Sequence, residues 1–549
     1  MRMMLHRVWN WLKTPRGGRA WRPGLVLLYL VAAAGLVHKV SDYYVPQYGF
    51  TYLIGQGDEP KREYDWIEER DVTVYRHFRS SGYDAQYYAQ LALDPGLRDP
   101  SLVKSVDNLA YRARRILLPW TAYVFGLGQP NWILNFYALQ NTICWFILGW
   151  LLLRWFPPDS FDRAFRWMAI MLSIGLWFSA LLSLVDGPSL LLLALALRWI
   201  EQGHHWRASA ILALGGLAKE TNILGAAVLA PERWKNMRGW GRSILQGMLI
   251  ALPLVIWFAV LRWRFSETGS LAGARNFAWP FVAYGERWGG LLRGLMDGGI
   301  RWKFLSAGLA THISITVQAV FLLGWWQWRK AAWRLTVPFA VLAFTLGSAV
   351  WEGYPGASSR VLLPMLLGFN LLVPKARRWL PVLILGNLTM FVGPFSMETR
   401  PAEIYSVRIM DTGLLPLDER LEEVSVSFPR PWYRAEKNRK RQWRWSESDA
   451  DIVIYNPYSR ILEIEVRGEW AAVDNRTARI TQNGKLWWEQ SIDRKVRAWR
   501  LAGIKLEPGE NRLRVESDGS NVSGHAEDER RLAVSLFKFS IKGKPIEAD

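Results

Sequence analysis

Apolar blocks separated by basic segments run along the chain up to about Pro401. Most blocks approach the roughly 20 residues that a helix needs to cross a bilayer. From Pro401 onward, apolar and polar residues alternate in short segments, which is typical of strands that bury one face. The pattern predicts an α-helical polytopic membrane domain followed by an all-β sandwich domain. The clearest apolar blocks are residues 24–37, 132–156, 244–261, 305–326 and 335–351.

The alternating segments near the C-terminus are separated by turn signals. Residues 451–455, 462–466 and 511–515 alternate, and the Asn483-Gly484 pair marks a tight turn. This change of period sets a predicted domain boundary. We expect a cytoplasmic basic N-terminus over residues 1–22, a membrane domain over residues 23–398 with its first outer loop at 41–128, and an extracytoplasmic β-sandwich over residues 399–549.

Basic residues close to the apolar blocks orient the chain, because short basic loops stay in the cytoplasm. A path of about 11 spans places every strongly basic short loop on one side. The path treats residues 116–127 as a helix on the outer surface, since counting them as a span would invert every later loop. We therefore expect a multi-pass protein of the bacterial inner membrane with a periplasmic C-terminal domain. The basic loops lie within residues 154–166, 198–207, 233–242, 329–334 and 375–378.

Composition narrows the range of partners. The chain has 68 Lys and Arg residues against 48 Asp and Glu residues, but most of this charge flanks apolar blocks, where lipid headgroups explain it better than nucleic acid does. The only cysteine, Cys144, excludes an internal disulfide and a cysteine-based metal site. No His or Asp cluster has the spacing of metal ligands. We expect membrane lipids as partners, no nucleic acid, no metal and no cofactor.

The first outer loop is too long to be a simple connector, since loops beyond about 15 residues usually carry function. It contains Asp84 among aromatic residues, and the same predicted face of the membrane collects several further charges. Ionisable groups at membrane depth are costly and usually functional. A carboxylate among cations suits sugar transfer from a polyprenyl phosphate, because the acid accepts a proton and the cations stabilise the released phosphate. The further charges are Arg112, Arg114, Arg115, Asp186, Lys219, Glu220 and Arg360.

The order of first span, long outer loop, outer interfacial helix and second span resembles the GT-C superfamily of glycosyltransferases over roughly residues 20 to 395. Residues 83–88 (Tyr-Asp-Ala-Gln-Tyr-Tyr) resemble the first-loop acidic motif of protein O-mannosyltransferases, with Ala85 in the place of a second acid. Residues 215–221 resemble a segment of those families and of the lipid A aminoarabinose transferase whose Lys contacts the lipid phosphate. Residues 359–364 resemble an Arg-Tyr-x-x-Pro element near the donor phosphate, with Val361 replacing the aromatic residue.

The resemblance implies a membrane glycosyltransferase that uses a polyprenyl-phosphate-linked sugar and a glycan, lipid or protein acceptor. Asp84 would be the general base, with Glu220 as a second catalytic carboxylate. The other predicted site residues fall into two groups, basic residues that bind the donor phosphate and residues that bind the substrate. The expected ligands of the donor phosphate are Lys219, Arg360, Arg112 and Arg115, and the expected substrate-binding residues are Tyr83, Gln86, Tyr87 and Asp186.

Each of these residues also has a structural explanation. Asp84 and Asp186 could cap helices. Lys219 and Glu220 could neutralise each other, Arg360 could reach lipid headgroups, and the arginine cluster before residue 116 could anchor a surface helix. Two other functions also remain open: a transporter or flippase, since intramembrane charges mark transport pathways, and a non-enzymatic envelope assembly protein whose sandwich binds polysaccharide.

Overall fold

The structure is a computed structural model that gives the placement of most of the chain. Residues 1–14 of the predicted basic N-terminus and the predicted boundary between residues 398 and 399 lie outside the described residues. The described ranges are 15–45, 48–57, 66–67, 70, 72–77, 80–265, 276–297, 302–351, 357–396, 408–409, 424–429, 431–433, 436–437, 442–522 and 530–545.

The chain divides into two compact units, and the division does not simply follow the sequence. Two segments of the predicted first outer loop group with the C-terminal residues, while the part of the loop from Tyr83 onward belongs to the helical unit. The helical unit comprises Met1–Ser41, Lys61–Val72 and Tyr83–Glu398, and the β unit comprises Asp42–Pro60, Thr73–Gly82 and Thr399–Asp549.

The helical unit has helices of very different length among its described residues, and short helices occur both in the first loop and near the end of the unit. In chain order they are α1 Pro15–Ser41, α2 Asp84–Leu93, α3 Leu102–Ser105, α4 Leu109–Arg112, α5 Leu117–Phe125, α6 Pro130–Leu152, α7 Phe161–Met171, α8 Ile174–Leu181, α9 Asp186–Glu201, α10 His205–Ala218, α11 Met237–Arg264, α12 Val282–Asp297, α13 Trp302–Gly324, α14 Ala331–Thr345, α15 Ser348–Trp351, α16 Ala357–Val361, α17 Leu363–Leu372, α18 Leu380–Leu385 and α19 Gly393–Ser396.

Three described helices are long and apolar enough to cross a membrane, or up to five if two bent helix pairs each form one span. The most apolar is α11, and large side chains on it are exposed, including Met248 at 64% and Val255 at 58%. Such a surface would be costly in water and is favourable against lipid tails. The chain is therefore a membrane protein, while the number of about 11 spans stays a prediction.

The segment predicted to lie on the outer surface forms the short helix α5. Its nine residues are well below the roughly 20 that cross a bilayer. Several of its large side chains are exposed, including Trp120 at 40% and Phe125 at 63%, which suits a helix at a membrane interface. This length fits the path in which the chain does not cross the membrane at α5.

The first-loop helices are held in place by local caps and by a spanning helix. Asn108 caps α4, because its side-chain oxygen accepts a hydrogen bond from the N–H of Tyr111 at 2.8 Å. The 3₁₀ turn Ala113–Arg115 follows α4 directly, and Trp257 of α11 donates its indole N–H to the Ala113 carbonyl at 2.7 Å. This contact fixes the arginine-rich turn against α11.

A second 3₁₀ segment, Glu220–Leu229, follows α10 and packs against α14. Ten residues is long for a 3₁₀ helix, whose hydrogen-bond geometry is poorer than that of an α-helix. Burial compensates, because Val228 and Leu229 join a large apolar core that also contains Leu335 and Phe339 of α14. The segment carries Glu220 at its start and so connects this core to the candidate site.

A close backbone approach between α8 and α16 positions Arg360. A Cβ atom on Gly175 would lie 2.7 Å from the carbonyl oxygen of Ser359. We expect Gly175→Ala to destabilise the protein by about 1–3 kcal/mol, because the two backbones must separate. Thermal unfolding in detergent measures the effect. Gly247→Ala in α11 is the matched control, since nothing lies within 4 Å of that position, and a loss of stability in the control equal to that of Gly175→Ala would contradict the explanation.

The β unit contains two principal sheets whose inner faces form one core, as in a sandwich. The sheet orders are β10-β9-β12-β7-β4 and β11-β8-β15-β6-β5, and β3 also pairs with β15. Buried residues alternate with half-buried or exposed ones in β8 and β12, which explains the alternation in the sequence. The strands are β1 Gln56–Gly57, β2 Arg76–His77, β3 Arg408–Ile409, β4 Ser425–Ser427, β5 Glu436–Lys437, β6 Gln442–Trp445, β7 Ala450–Asn456, β8 Leu462–Ala471, β9 Arg476–Gln482, β10 Lys485–Ile492, β11 Arg497–Leu506, β12 Gly509–Ser517, β13 Asn521–Val522, β14 Arg531–Leu532 and β15 Ser535–Pro545.

Candidate functional site

A cavity of about 360 Å³ lies within the helical unit, and we refer to it as the polar cavity. Its volume falls in the range of ordinary ligand sites. Charged side chains from five segments of the chain meet there, together with an apolar wall. The charged and polar lining residues are Asp84, Tyr88, Tyr111, Arg114, Arg115, Asp186, Lys219, Glu220, Thr221, Asn276 and Arg360, and the apolar ones include Leu184, Val185, Leu342, Leu346, Val350 and Val361.

Asp84 is the first residue of α2, and its side chain is the most accessible carboxylate of the candidate site, with 42% exposed. Its Oδ1 atom lies 3.0 Å from Nη2 of Arg112. Arg112 makes two hydrogen bonds to Asp107, donating from Nε at 2.9 Å and from Nη2 at 2.6 Å. Two carboxylates therefore share one guanidinium, and Asp84 keeps acceptor capacity that the shared cation does not use.

Asp186 is the centre of a buried cluster that we call the ion triad, formed by Lys219, Asp186 and Arg360. Lys219 donates from Nζ to Oδ1 of Asp186 at 2.7 Å, and Arg360 contacts Oδ2 at 3.4 Å. The side chains of the triad are at most 10% exposed. One carboxylate thus faces two cations, so the triad carries one net positive charge in a region largely closed to water. An anion is the ligand that such a site favours.

The start of α9 fixes the position of Asp186. Ser179 accepts a hydrogen bond from the N–H of Gly187 at 2.7 Å, and a Cβ atom at Gly187 would lie 2.9 Å from Oδ1 of Asn141. Only glycine fits this close approach without displacing Asn141. The helix therefore begins at a fixed point, and the carboxylate of its first residue projects into the polar cavity.

Lys219 and Glu220 are adjacent in sequence, but their side chains form ion pairs with different partners. The hypothesis that they pair with each other is therefore wrong. Lys219 is the extended C-cap of α10 and contacts Asp186. Glu220 accepts from Arg115 in a bidentate pair, from Nε at 2.8 Å and from Nη2 at 3.0 Å. Because Arg115 engages both oxygens of Glu220, Asp84 is better placed than Glu220 to accept a proton.

A ring of hydroxyl and amide groups surrounds the Arg115–Glu220 pair. Arg115 donates to the hydroxyls of Tyr88 at 2.9 Å and Tyr111 at 3.3 Å, and Asn276 donates to Tyr111 at 3.0 Å. Burial raises the pKa of Tyr88, so its hydroxyl stays protonated at neutral pH. This wall offers neutral hydrogen-bonding groups of the kind that recognise hydroxyl-rich ligands.

Arg360 connects the ion triad to α2. Its Nη2 donates to the hydroxyl of Tyr83 at 2.9 Å, and its guanidinium carbon lies 5.7 Å from the centre of the Tyr83 ring. Tyr83 immediately precedes Asp84. Since Arg360 is buried among these groups, it does not extend to headgroups as the structural explanation proposed.

The structure brings together most, but not all, of the predicted site residues. Gln86 and Tyr87 are 4% and 6% exposed and do not line the polar cavity. The Tyr87 ring instead lies 4.8 Å from the guanidinium carbon of Arg112. Arg112 contacts Asp84 but is not in the lining. The cavity lining therefore does not support substrate contact by Gln86 or Tyr87 or phosphate contact by Arg112, and these roles stay predictions.

The lining residues Tyr88, Tyr111 and Asn276 were not among the predicted site residues. Tyr88 follows Asp84 by four residues, and Tyr111 precedes Arg115 by four, so helical spacing alone could have indicated that each pair shares a face. Asn276 has no local signal, because it reaches Tyr111 from 165 residues away. Among the described residues, no group of three or more His, Cys, Asp and Glu side chains could hold a metal ion.

Comparisons with known proteins do not show which family the chain belongs to. No family model matches it, and no curated protein matches it. Among solved structures, the chain is similar to the arabinosyltransferase EmbB from Mycobacterium smegmatis, with 11% sequence identity and a TM-score of 0.25. The similarity covers 94% of this chain, which spans 64% of the length of the EmbB chain. A similarity at this TM-score decides neither the fold nor the activity of the protein.

Proposed function

We propose that this protein is a GT-C-type glycosyltransferase that moves a sugar from a polyprenyl-phosphate donor to an acceptor hydroxyl or amine on the outer face of the membrane. The observation that supports this most directly is the shared cavity of Asp84 and the ion triad. An accessible carboxylate and a buried net positive charge are the two groups that such a transfer requires.

Lys219 and Arg360 are the proposed ligands of the donor phosphate. Both line the polar cavity, and both are only partly neutralised by their common partner Asp186. The phosphate would supply the negative charge that the triad lacks, through charge-assisted hydrogen bonds. Asp186 would then be a positioning residue that keeps the two cations apart and oriented.

The chemical step assigns one proton and one leaving group. The acceptor oxygen or nitrogen forms a bond to the anomeric carbon while the bond from that carbon to the phosphate oxygen breaks. The acceptor proton passes to the carboxylate of Asp84. The bonding electrons leave with the polyprenyl phosphate, whose growing negative charge is stabilised by Lys219 and Arg360. The sugar itself would contact the Tyr88, Tyr111 and Asn276 wall.

The apolar wall of the polar cavity suits the lipid part of the donor. Leu342 and Leu346 come from the end of α14 and the turn after it, and Val361 follows Arg360 directly. Apolar residues beside a phosphate site are expected where a prenyl chain enters from the membrane. The proposed setting is the bacterial inner membrane, with the β unit in the periplasm and a glycan, lipid or protein as acceptor.

Transfer by the purified protein in liposomes tests the proposal. With a synthetic polyprenyl-phosphate-linked sugar, we expect free polyprenyl phosphate and glycosylated acceptor to appear in equal amounts. Liposomes without protein and a nucleotide-linked sugar are the negative controls. A flippase would leave the donor chemically intact while moving it between leaflets, and an assembly protein would do neither. Either of these outcomes across a panel of donor sugars would contradict the proposed function.

A further inference from the structure

A second large cavity lies in the helical unit, outside the candidate site. Its volume is about 820 Å³, and two chain segments line it: residues 232–235 before α11 and residues 326–330 before α14. The lining contains three tryptophans, four basic residues and one acidic residue. We call it the tryptophan pocket, and its lining residues are Glu232, Arg233, Trp234, Lys235, Trp326, Gln327, Trp328, Arg329 and Lys330.

The tryptophan pocket is braced by hydrogen bonds between its two segments. Trp328 donates its indole N–H to the carbonyl of Pro231 at 2.9 Å, across 97 residues of sequence. Behind them, the buried Arg334 donates to the carbonyls of Trp328 at 2.7 Å and Val228 at 3.3 Å. The aromatic rings also contact one another, with the Trp234 and Trp328 ring centres 4.8 Å apart. The two loops therefore form one pre-organised concavity.

The side chains at the rim have the chemistry of a membrane interface. The rings of Trp234 and Trp326 are 62% and 68% exposed, and indole is favourable at the level of lipid headgroups. Arg233, Lys235, Arg329 and Lys330 are exposed beside them and outnumber Glu232, which gives the lining three net positive charges. In addition, the Nε2 donor of Gln327 has no hydrogen-bond partner within the part of the chain that the structure describes.

The tryptophan pocket is distinct from the proposed donor site. Lys330 lies immediately before α14, whereas Leu342 and Leu346 at the other end of α14 line the polar cavity. The 15 residues of α14 separate the two ends by about 22 Å. Both loops of the tryptophan pocket are also among those that the positive-inside rule assigns to the cytoplasm.

We propose that the tryptophan pocket binds the phosphate headgroup of an anionic phospholipid from the cytoplasmic leaflet. The basic residues neutralise the phosphate, and the exposed indole rings contact the glycerol and the first part of the acyl chains. The same cations would bind a free phosphate ion, but the exposed aromatic rim gives a lipid additional contact area that an ion cannot use. The inference does not depend on the proposed transferase activity.

Native mass spectrometry of the full chain in detergent tests this inference, with phosphatidylglycerol and phosphatidylcholine titrated separately. We expect the double variant Lys235→Ala/Lys330→Ala to bind phosphatidylglycerol about 25-fold more weakly, roughly fivefold for each lost charge. Phosphatidylcholine binding should not change. Lys375→Ala/Arg378→Ala, which removes two exposed charges from another predicted cytoplasmic loop outside the tryptophan pocket, is the matched control and should bind like the unmodified protein.

Two further measurements make the result decisive. Lys235→Arg/Lys330→Arg should retain phosphatidylglycerol binding, which separates lost charge from a folding defect. Glycerol phosphate and inorganic phosphate are added as competitors. Displacement of the lipid by either one at concentrations near its own would identify a free-phosphate site and overturn the lipid proposal. Equal losses in the pocket variant and the control variant would show that only general charge matters, which would overturn it as well.

Discussion

Asp84→Asn should lower turnover by about 10² to 10⁴, the usual contribution of a positioned general base. Asparagine preserves the size of the side chain but cannot accept the acceptor's proton. Donor affinity should change little, since Asp84 forms its ion pair with Arg112 rather than with Lys219 or Arg360 and is not a proposed phosphate ligand. Single-turnover transfer from a polyprenyl-phosphate-linked sugar, measured alongside donor binding, separates the two quantities.

Asp107→Asn is the matched control for this result. Asp107 is the other carboxylate bound to Arg112 and is similarly accessible, at 33% against 42% for Asp84, but it does not line the polar cavity. The substitution removes the charge of Asp107 but leaves the ion pair between Arg112 and Asp84, so it should lower turnover by less than tenfold. Wild-type turnover in Asp84→Asn would exclude Asp84 as the base. Equal losses in the two variants would indicate that both act only by holding Arg112.

The charges of the candidate site could be predicted from the sequence because topology constrains them strongly. Charged side chains at the ends of apolar blocks can only lie near one face or the other, and the basic loops identify the faces. This logic placed Asp186, Lys219 and Arg360 on one side, and the structure brings the three within a single ion cluster. Their roles toward a substrate remain predictions.

The ion-pair partners of these charged residues and the orientation of nearby side chains could not be predicted in the same way. The adjacent residues Lys219 and Glu220 have different partners because α10 ends in an extended residue, which no sequence period reveals. Gln86 and Tyr87 belong to α2, which begins at Asp84, and both side chains are buried. The geometry of the helix, rather than closeness to Asp84 in the sequence, decides which side chains reach the polar cavity.

The division of the first outer loop between the two units could not be predicted from the sequence. Residues 41–128 were expected to form one loop of the membrane domain, yet Asp42–Pro60 and Thr73–Gly82 group with the β unit. These segments contain an aromatic cluster in which Tyr52 contacts both Tyr75 and His77. Such packing depends on contacts between segments that are distant in sequence, which hydropathy does not encode.

Lys219→Met should weaken donor binding by at least about 30-fold and lower turnover with it. Loss of a buried charge partner costs about 2–5 kcal/mol, and Lys219 would contact the phosphate before and during the reaction. Methionine preserves most of the volume, and Asp186 keeps Arg360 as its partner, so the fold should be retained. Equilibrium binding of a labelled donor, or of polyprenyl phosphate as its analogue, measures the effect.

Asp186→Asn should lower the stability of the protein without weakening donor binding. It leaves Lys219 and Arg360 buried without their carboxylate, which should cost about 3–5 kcal/mol of stability. Donor binding should nevertheless be at least as tight as in the unmodified protein, because the lipid phosphate replaces the missing negative charge. Polyprenyl phosphate should therefore raise the unfolding temperature of Asp186→Asn by more than it raises that of the unmodified protein. If the triad is only a structural ion cluster, Lys219→Met and Asp186→Asn will both lose stability, and neither will change donor affinity. Polyprenyl phosphate will then restore the stability of neither variant.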